Sequence, residues 1–261
     1  MPEAAGLYYE EHGLPDAPPL ILSSGLGGSA SYWRPNLSAL DADYRVILYD
    51  HRGTGRSDRC LPEIVTVDDL ADDMIVLLDA LGIEKAHVVG HAAGGVAALA
   101  MAMKAPERTD KIVVVTGWAS ADPHFLRCFE ARLNLLRHSG VEAFLRAQPI
   151  FLYPAGWISV NDERLNAELS HQIADFPGIE TMEKRIAALA AFKIHRKLPH
   201  LSDRVMVMVA EDDMLVPWTA GATLAWVLGD ARLEKISWGG HACNVTNPMP
   251  FTTAVRKFLR S

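Results

Sequence analysis

The stretch AHVVGHAAGG, residues 86–95, decides the fold, because an apolar run ends there at Gly90 and a run of small residues follows. Two glycines four residues apart, Gly90 and Gly94, are typical of a sharp turn that joins a buried strand to a helix. Enzymes that use such a turn for catalysis carry a serine at its centre. Ala92 occupies that position and has no atom that attacks a substrate. The stretch therefore predicts a nucleophile elbow without its nucleophile.

Strand and helix patterns alternate on both sides of this turn. Apolar runs rich in Val, Ile and Leu lie at residues 20–24, 45–50, 86–90, 111–116, 204–210 and 232–237. Unbroken apolar strands are buried on both faces, and alternation with helices favours parallel pairing. Thr66, followed by Asp68 and Asp69, marks the start of the helix before the turn, and Gly82 marks its end. The chain is predicted to form an α/β fold with a mostly parallel, doubly wound sheet.

No apolar strand run lies between residues 120 and 197. Helical spacing of apolar residues is found instead at 125–138, 141–152, 162–176 and 178–195. We expect a core formed by residues 1–119 and 198–261, with a helical cap subdomain at 120–197 inserted after the run 111–116, which is counted as the sixth strand of the sheet. Such a cap lies over the carboxyl ends of the strands, where open α/β sheets bind ligands.

Composition excludes several classes of partner. The net charge of −7 disfavours nucleic acids and anionic membranes, and no apolar run approaches the ~20 residues of a membrane span. The first residues carry no leader pattern, and Cys60, Cys128 and Cys243 suit neither a disulfide framework nor a zinc site. We expect a cytoplasmic protein with a small-molecule substrate, no cofactor and no metal; a homodimer remains open.

Glycine-rich loops follow the first two apolar runs. SSGLGGSASYW, residues 23–33, lets backbone N–H groups approach a ligand closely. In YDHRGTGRSD, residues 49–58, Asp50 and Arg52 are expected to fix loops, because buried charges need partners. The backbone N–H groups of Leu26 and Ala93 are the predicted oxyanion hole.

A carboxylate and a histidine follow the last two predicted strands. Asp213 comes just after the run 204–210, and His241 follows the run 232–237 on a glycine pair. A carboxylate that accepts the Nδ1–H of a histidine fixes its tautomer and stabilises its cation. We therefore predict His241 as the acid–base residue and Asp213 as its partner, with Glu211 and Asp212 as fallback carboxylates.

Taken together, these motifs resemble the α/β-hydrolase family over essentially the whole chain. NLLRHSGVEAFLRAQPIFLYPAGW (134–157) and GGHACNVTNP (239–248) are similar, more narrowly, to the α/β-hydrolases of the Rut pyrimidine-utilisation pathway. That resemblance implies a hydrolase that acts on C–N bonds other than peptide bonds. The implied substrates are carbamate and 3-aminoacrylate, in pyrimidine degradation.

The alanine at the elbow shapes the predicted mechanism. It leaves room for a water molecule that His241 activates, so that no acyl-enzyme forms. Two alternatives remain: a serine esterase or amidase with its nucleophile mutated to alanine at position 92, and a non-catalytic protein that binds a metabolite or partner. Ser24 as a replacement nucleophile is a further option, although a hydrogen-bonding role is commoner for such a hydroxyl.

Aromatic and basic residues are candidates for the pocket wall. The predicted substrate-binding residues are Ser24, Trp33, Trp118 and Tyr153, and further predicted wall residues are Leu26, Tyr32 and Trp157. Arg127 or Arg132 is a candidate for holding a substrate carboxylate. Because exposed arginine is the norm, a solvated helix face is the favoured interpretation for both.

Overall fold

The computed structural model describes residues 3–261, and within them the chain forms one eight-stranded sheet. The strands are β1 (Glu3–Ala4), β2 (Leu7–His12), β3 (Pro19–Ser23), β4 (Arg45–Tyr49), β5 (Ala86–His91), β6 (Thr109–Val115), β7 (Val205–Ala210) and β8 (Arg232–Ile236). Their order across the sheet is β1-β2-β4-β3-β5-β6-β7-β8. Pairing is parallel from β4 to β8, and only the β1–β2 and β2–β4 pairs are antiparallel. The predicted mostly parallel sheet is confirmed.

Helices cover the sheet and fill the segment between β6 and β7. They are α1 (Arg34–Leu40), α2 (Val67–Ala80), α3 (Ala93–Lys104), α4 (Pro123–Leu152), α5 (Ala155–Val160), α6 (Asp162–Ala174), α7 (Ile179–Ala191), α8 (Trp218–Val227), α9 (Cys243–Thr246) and α10 (Pro248–Leu259). Short 3₁₀ turns lie at Ala30–Trp33, Pro106–Arg108 and Pro199–Arg204.

The two faces of the sheet carry separate apolar cores. Val88 and Val114 point to one face, where they pack with residues of α2, α3, α8 and the helices between β6 and β7. Val89 and Val113, one position away, belong to the opposite core with residues of α1 and α10. Side chains alternate along a strand, so an unbroken run of apolar residues fills both cores, and the sheet is doubly wound.

Between β6 and β7 the structure places α4 to α7. The sequence pattern predicts two helices, 125–138 and 141–152, and α4 consists of two helical segments that meet at Gly140, where φ 87° and ψ 179° are not helical. The pattern at 162–176 corresponds to α6, and the pattern at 178–195 corresponds to α7. Helix α5 was not predicted, because its six residues are too few to show a helical period.

The start of α2 follows the predicted signals. The Thr66 side chain accepts from the backbone N–H of Asp69, whose carboxylate accepts from the backbone N–H of Thr66. This reciprocal capping satisfies two donors at the helix start. After the helix, Gly82 adopts φ 65°, a left-handed conformation that favours glycine.

Two further features of residues 3–261 concern membrane-spanning helices and cysteines. Among residues 3–261, no helix has both the length and the apolar character needed to cross a bilayer. Cys60 is exposed, whereas Cys128 and Cys243 are buried, and all three are free thiols.

Candidate active site

Ala92 lies on the turn between β5 and α3 with φ 47° and ψ −104°. A residue with a Cβ rarely adopts a positive φ, so the turn is strained even with the smallest side chain. The backbone N–H of Ala92 donates to the carbonyl of Val115 at 2.8 Å, which ties the turn to the end of β6. The elbow geometry predicted from the sequence is therefore present, and its central residue presents only a methyl group.

Close packing explains the glycines around Ala92. A Cβ on Gly94 would lie 2.2 Å from the carbonyl oxygen of Ser23, and a Cβ on Gly90 would lie 2.3 Å from backbone atoms of Gly94. The contacted atoms belong to the backbone, so relief of either clash requires α3 to move away from the strands. These positions therefore hold α3 against the ends of β3 and β5 and fix the direction in which Ala92 points.

We expect Gly94→Ala to lower the free energy of unfolding by about 1–3 kcal/mol, the usual cost of overpacking a core. Its matched control is Gly156→Ala, because Gly156 lies in α5 with open space around its Cα. That change is expected to stabilise the protein by roughly 0.5–1 kcal/mol through helix propensity. Urea denaturation of both variants measures the contrast; equal effects would contradict the packing explanation.

The predicted oxyanion donors lie beside Ala92. Leu26 lines the cavity described below, and Ala93 is the first residue of α3. Neither backbone N–H donates a hydrogen bond to any of residues 3–261. The N–H of Ala93 lies at the start of α3, where the positive end of the helix dipole suits an anionic oxygen.

His241 and Asp213 form a buried pair. The Nδ1 atom of His241 lies 2.8 Å from Oδ2 of Asp213, and the two side chains are 3% and 1% exposed. The other oxygen, Oδ1, accepts the backbone N–H groups of Leu215 at 2.8 Å and Val216 at 2.9 Å. A carboxylate accepts hydrogen bonds only, so Nδ1 carries a proton and Nε2 of His241 is left for chemistry.

The two fallback carboxylates are placed elsewhere. Asp212 accepts the backbone N–H groups of Gly239 at 3.0 Å and Gly240 at 2.8 Å, so it shapes the loop that leads to His241. Glu211 is exposed, and its nearest basic partner is Lys235 at 3.8 Å. Asp213 is thus the carboxylate that contacts His241.

A cavity of about 130 Å³ opens where the strands end. Its wall combines residues that follow β3, β5, β6, β7 and β8 with residues of α4 and α7. The lining residues are Ser24, Gly25, Leu26, Gly27, Gly28, Ser29, Tyr32, His91, Ala92, Trp118, Phe125, Phe129, Arg132, Gln148, Leu152, Leu189, Leu215 and His241. This volume lies well below the ~300–1,000 Å³ of sites for drug-sized ligands, so the cavity suits a small metabolite.

The cavity wall differs in part from the predicted wall. Ser24, Trp118, Leu26 and Tyr32 line it, but Trp33, Tyr153 and Trp157 do not. Trp33 is fully buried in the core, where its ring centroid lies 6.2 Å from that of Phe251. Tyr153 and Trp157 pack against each other with centroids 4.5 Å apart. For these three the prediction was wrong, because packing against neighbours takes up the rings.

Ser24 lies on the cavity wall but not on the strained turn. Its Oγ is buried and has no hydrogen-bond partner among the described residues. The backbone carbonyl of Ser24 accepts the N–H of Gly94 at 3.0 Å, which fixes the loop to the start of α3. This position suits a hydrogen bond to a bound molecule.

His91 packs edge-on against the ring of His241. Its Nε2 donates to the backbone carbonyl of His241 at 2.9 Å, and the two ring centroids lie 4.7 Å apart. Burial lowers the pKa of His91 well below its usual range, and the nearby His241 contributes in the same direction. His91 is therefore neutral and acts as a donor that positions the His241 backbone.

Arg185 of α7 joins the helices between β6 and β7 to the glycine-rich loop at residues 23–33. Its Nε donates to the carbonyl of Leu26 at 3.1 Å, and its Nη2 donates to Nδ1 of His51 at 2.9 Å. Burial lowers the pKa of Arg185 to about 10. Arg185 was not predicted from the sequence, since one arginine in an amphipathic helix gives no signal of its partners.

In the loop at residues 49–58, Asp50 and Arg52 fix the loop, as expected, and each of them pairs with a different residue. Asp50 pairs with Arg56, whose Nε lies 2.8 Å from Oδ2, and also accepts the backbone N–H of Ala30. Arg52 pairs with Asp73, with Nε 2.9 Å from Oδ1. These contacts hold the loop against α2 and against the glycine-rich loop at residues 23–33.

Comparisons with known proteins agree with this geometry. A family model described as the alpha/beta hydrolase fold matches residues 18–248. The candidate carbamate hydrolase RutD of Caulobacter segnis is 51% identical over 97% of this chain and 96% of its own length. The protein of the same name from Rhizobium rhizogenes is 45% identical over 98% of both chains.

Solved structures give the same result. A hydrolase from Pseudomonas aeruginosa superimposes with a TM-score of 0.84 at 25% identity, over 98% of this chain and 94% of that one. Because the family model covers most of the sequence and these relatives match it nearly end to end, the chain belongs to the α/β-hydrolase family.

Proposed function

We propose that this protein hydrolyses the C–N bond of a small carboxylate or carbamate, with 3-aminoacrylate and carbamate as the substrates. His241 acts as general acid and base, and no covalent intermediate forms. One observation carries the proposal: an intact Asp213–His241 pair faces a small cavity whose elbow residue, Ala92, has no nucleophilic atom. Membership of a hydrolase family supports hydrolysis, and the names of the RutD relatives favour this substrate class.

For carbamate, the reaction needs a proton on nitrogen. Asp213 accepts the Nδ1–H of His241 and stabilises the cation, so Nε2–H is the proton that the histidine delivers. Once the nitrogen is protonated, the C–N bond breaks, its electron pair stays on nitrogen, and ammonia and carbon dioxide leave. No nucleophile from the protein takes part.

For 3-aminoacrylate, the proton goes to carbon. Protonation at C2 converts the enamine into an iminium ion, and water then attacks C3 while His241 accepts a proton from it. His241 then returns that proton to nitrogen, and the C–N bond breaks with its electron pair on ammonia. The hydroxyl on C3 loses its proton to water as the C=O bond forms, which gives 3-oxopropanoate. The methyl group of Ala92 leaves space for that water, and the N–H groups of Leu26 and Ala93 suit the oxygen that it contributes.

Both candidate substrates decompose spontaneously in water, so the test compares rates. We expect the unmodified protein to accelerate ammonia release from freshly generated carbamate or 3-aminoacrylate by about 10²–10⁴-fold, the usual contribution of acid–base catalysis. Release of ammonia is followed continuously with and without protein. Rates equal to the spontaneous ones for both compounds would contradict the proposal.

The carboxylate partner gives a second expectation. Asp213→Asn removes the charge that stabilises the His241 cation, and we expect turnover to fall about 10–10³-fold, less than the loss of the histidine itself. Glu211→Gln is the matched control, because Glu211 is exposed two positions away and faces Lys235. The control is expected to turn over at the unmodified rate in the same ammonia assay. Unchanged turnover in Asp213→Asn would remove Asp213 from the mechanism.

A further inference from the structure

The part of the cavity wall formed by α4 carries a buried cation without a counter-charge. Arg132 is 3% exposed and lines the same cavity as Ala92 and His241. Its Nη2 donates to Oε1 of Gln148 at 3.1 Å, whereas Nε and Nη1 donate to none of residues 3–261, and no described carboxylate pairs with it. A buried charge with unused donors is costly, and an anionic ligand that pairs with it and accepts from those donors removes that cost.

Three aromatic rings hold the guanidinium in place. The centroids of Phe129, Phe144 and Phe151 lie 5.2, 5.0 and 5.6 Å from its Cζ. Rings attract a cation through their faces but do not replace the hydrogen bonds at its edge. Burial lowers the pKa of Arg132 to about 10, so the group remains charged at neutral pH. It is a positioned cation with free donors, not a solvated arginine.

Other donors on the wall point to the same ligand chemistry. Oγ of Ser24 and Nε1 of Trp118 are buried and lack partners, and both residues line the cavity with Arg132. We propose that Arg132 binds the carboxylate of a small monoanionic substrate, with Ser24 and Trp118 as further donors. The assignment rests on the proposed function in one respect: the bound carboxylate places a C–N bond beside His241. It excludes neutral amides and esters as good substrates.

Arg127, the other arginine suggested by the sequence, is exposed on the same helix. It is therefore a matched control for Arg132. Two small molecules separate the effect of charge from that of shape. Propionate is an unreactive carboxylate with the three-carbon skeleton of 3-aminoacrylate, and propionamide is its neutral analogue. Binding of both probes is measured by titration calorimetry, which needs no turnover.

We expect propionate to bind the unmodified protein and Arg127→Ala equally, and to bind Arg132→Met at least about 30-fold more weakly. Arg132→Lys, which keeps the charge but not the planar fork, is expected to lie between them. Propionamide is expected to bind weakly and equally to all four proteins. The melting temperature of Arg132→Met should not fall, because the variant removes an unpaired buried charge.

Equal propionate affinity in Arg132→Met and the unmodified protein would overturn the assignment. So would a propionamide affinity equal to that of propionate, or no saturable propionate binding to the unmodified protein. A lower melting temperature for both Arg132 variants, with unchanged propionate binding by Arg132→Lys, would make the arginine structural. The proposed function fails separately, through turnover equal to the spontaneous rate while propionate binding still depends on Arg132.

Discussion

His241→Gln is expected to fold normally and to lose about 10²–10⁴-fold in turnover, which reduces ammonia release to the spontaneous rate. Glutamine keeps the approximate size of the side chain but neither accepts nor delivers a proton at neutral pH. Among residues 3–261, Nε2 of His241 is the only polar side-chain atom of the Asp213–His241 pair without a hydrogen-bond partner. Removing it therefore removes the acid and the base together.

The assay for this variant needs two controls. His138→Gln makes the same chemical change at an exposed position of α4, and we expect it to turn over at the unmodified rate. Propionate affinity, measured as for Arg132, reports whether the cavity of His241→Gln is intact. Turnover that survives in His241→Gln with an intact cavity would contradict acid–base catalysis by this histidine. Propionate binding without turnover in any variant would favour the binding-protein alternative.

Burial on both faces made most of the sheet predictable. The runs that became β3 to β7 are almost entirely apolar, because each strand faces two cores. Strand β2, LYYEEH, was not predicted, since only Leu7 and Tyr8 are buried and its other residues are partly exposed beside the sheet edge. Antiparallel pairing of β2 with β4 comes from tertiary contacts that a single strand pattern does not reveal.

The site was predictable where sequence order and backbone geometry determine it. Ala92, Asp213 and His241 follow the ends of β5, β7 and β8, and parallel strands bring those ends to one edge of the sheet. Side chains from α4 and α7 were not predictable in the same way. Whether Arg132 faces solvent or the cavity depends on how α4 packs over the sheet, and helical periodicity alone allows both.

Two tryptophans show the same limit of prediction from sequence. Trp33 ends the glycine-rich loop 23–33 and was predicted to line the cavity, yet its ring lies in the core beside α10. Trp118 comes shortly after β6, which ends at Val115, and lines the cavity. Both are large and buried, so residue type gives them the same signal. They differ in the neighbours against which their rings pack, and residue type does not show this.

Ala92→Ser is expected to lower turnover by about tenfold or more, within the 10²–10⁴-fold that acid–base catalysis supplies. The added Oγ takes up space that the proposed mechanism assigns to water. As a donor beside the cavity it also competes for Nε2 of His241, the atom that must exchange protons with substrate. A serine enzyme that has lost its nucleophile predicts the opposite sign, since restoring the serine regains up to about 10⁶-fold.

Ala92→Gly is the matched control, because it changes the same position without adding an oxygen. Glycine accepts φ 47° without strain and leaves the water space open, so we expect turnover near that of the unmodified protein. Ammonia release from 3-aminoacrylate is measured for all three proteins, together with any burst of nitrophenol from p-nitrophenyl acetate. A rise in ammonia release in Ala92→Ser, accompanied by such a burst, would contradict the water mechanism and favour a covalent one. A fall in Ala92→Ser with near-normal turnover in Ala92→Gly would mean that this elbow works because its central residue has no hydroxyl.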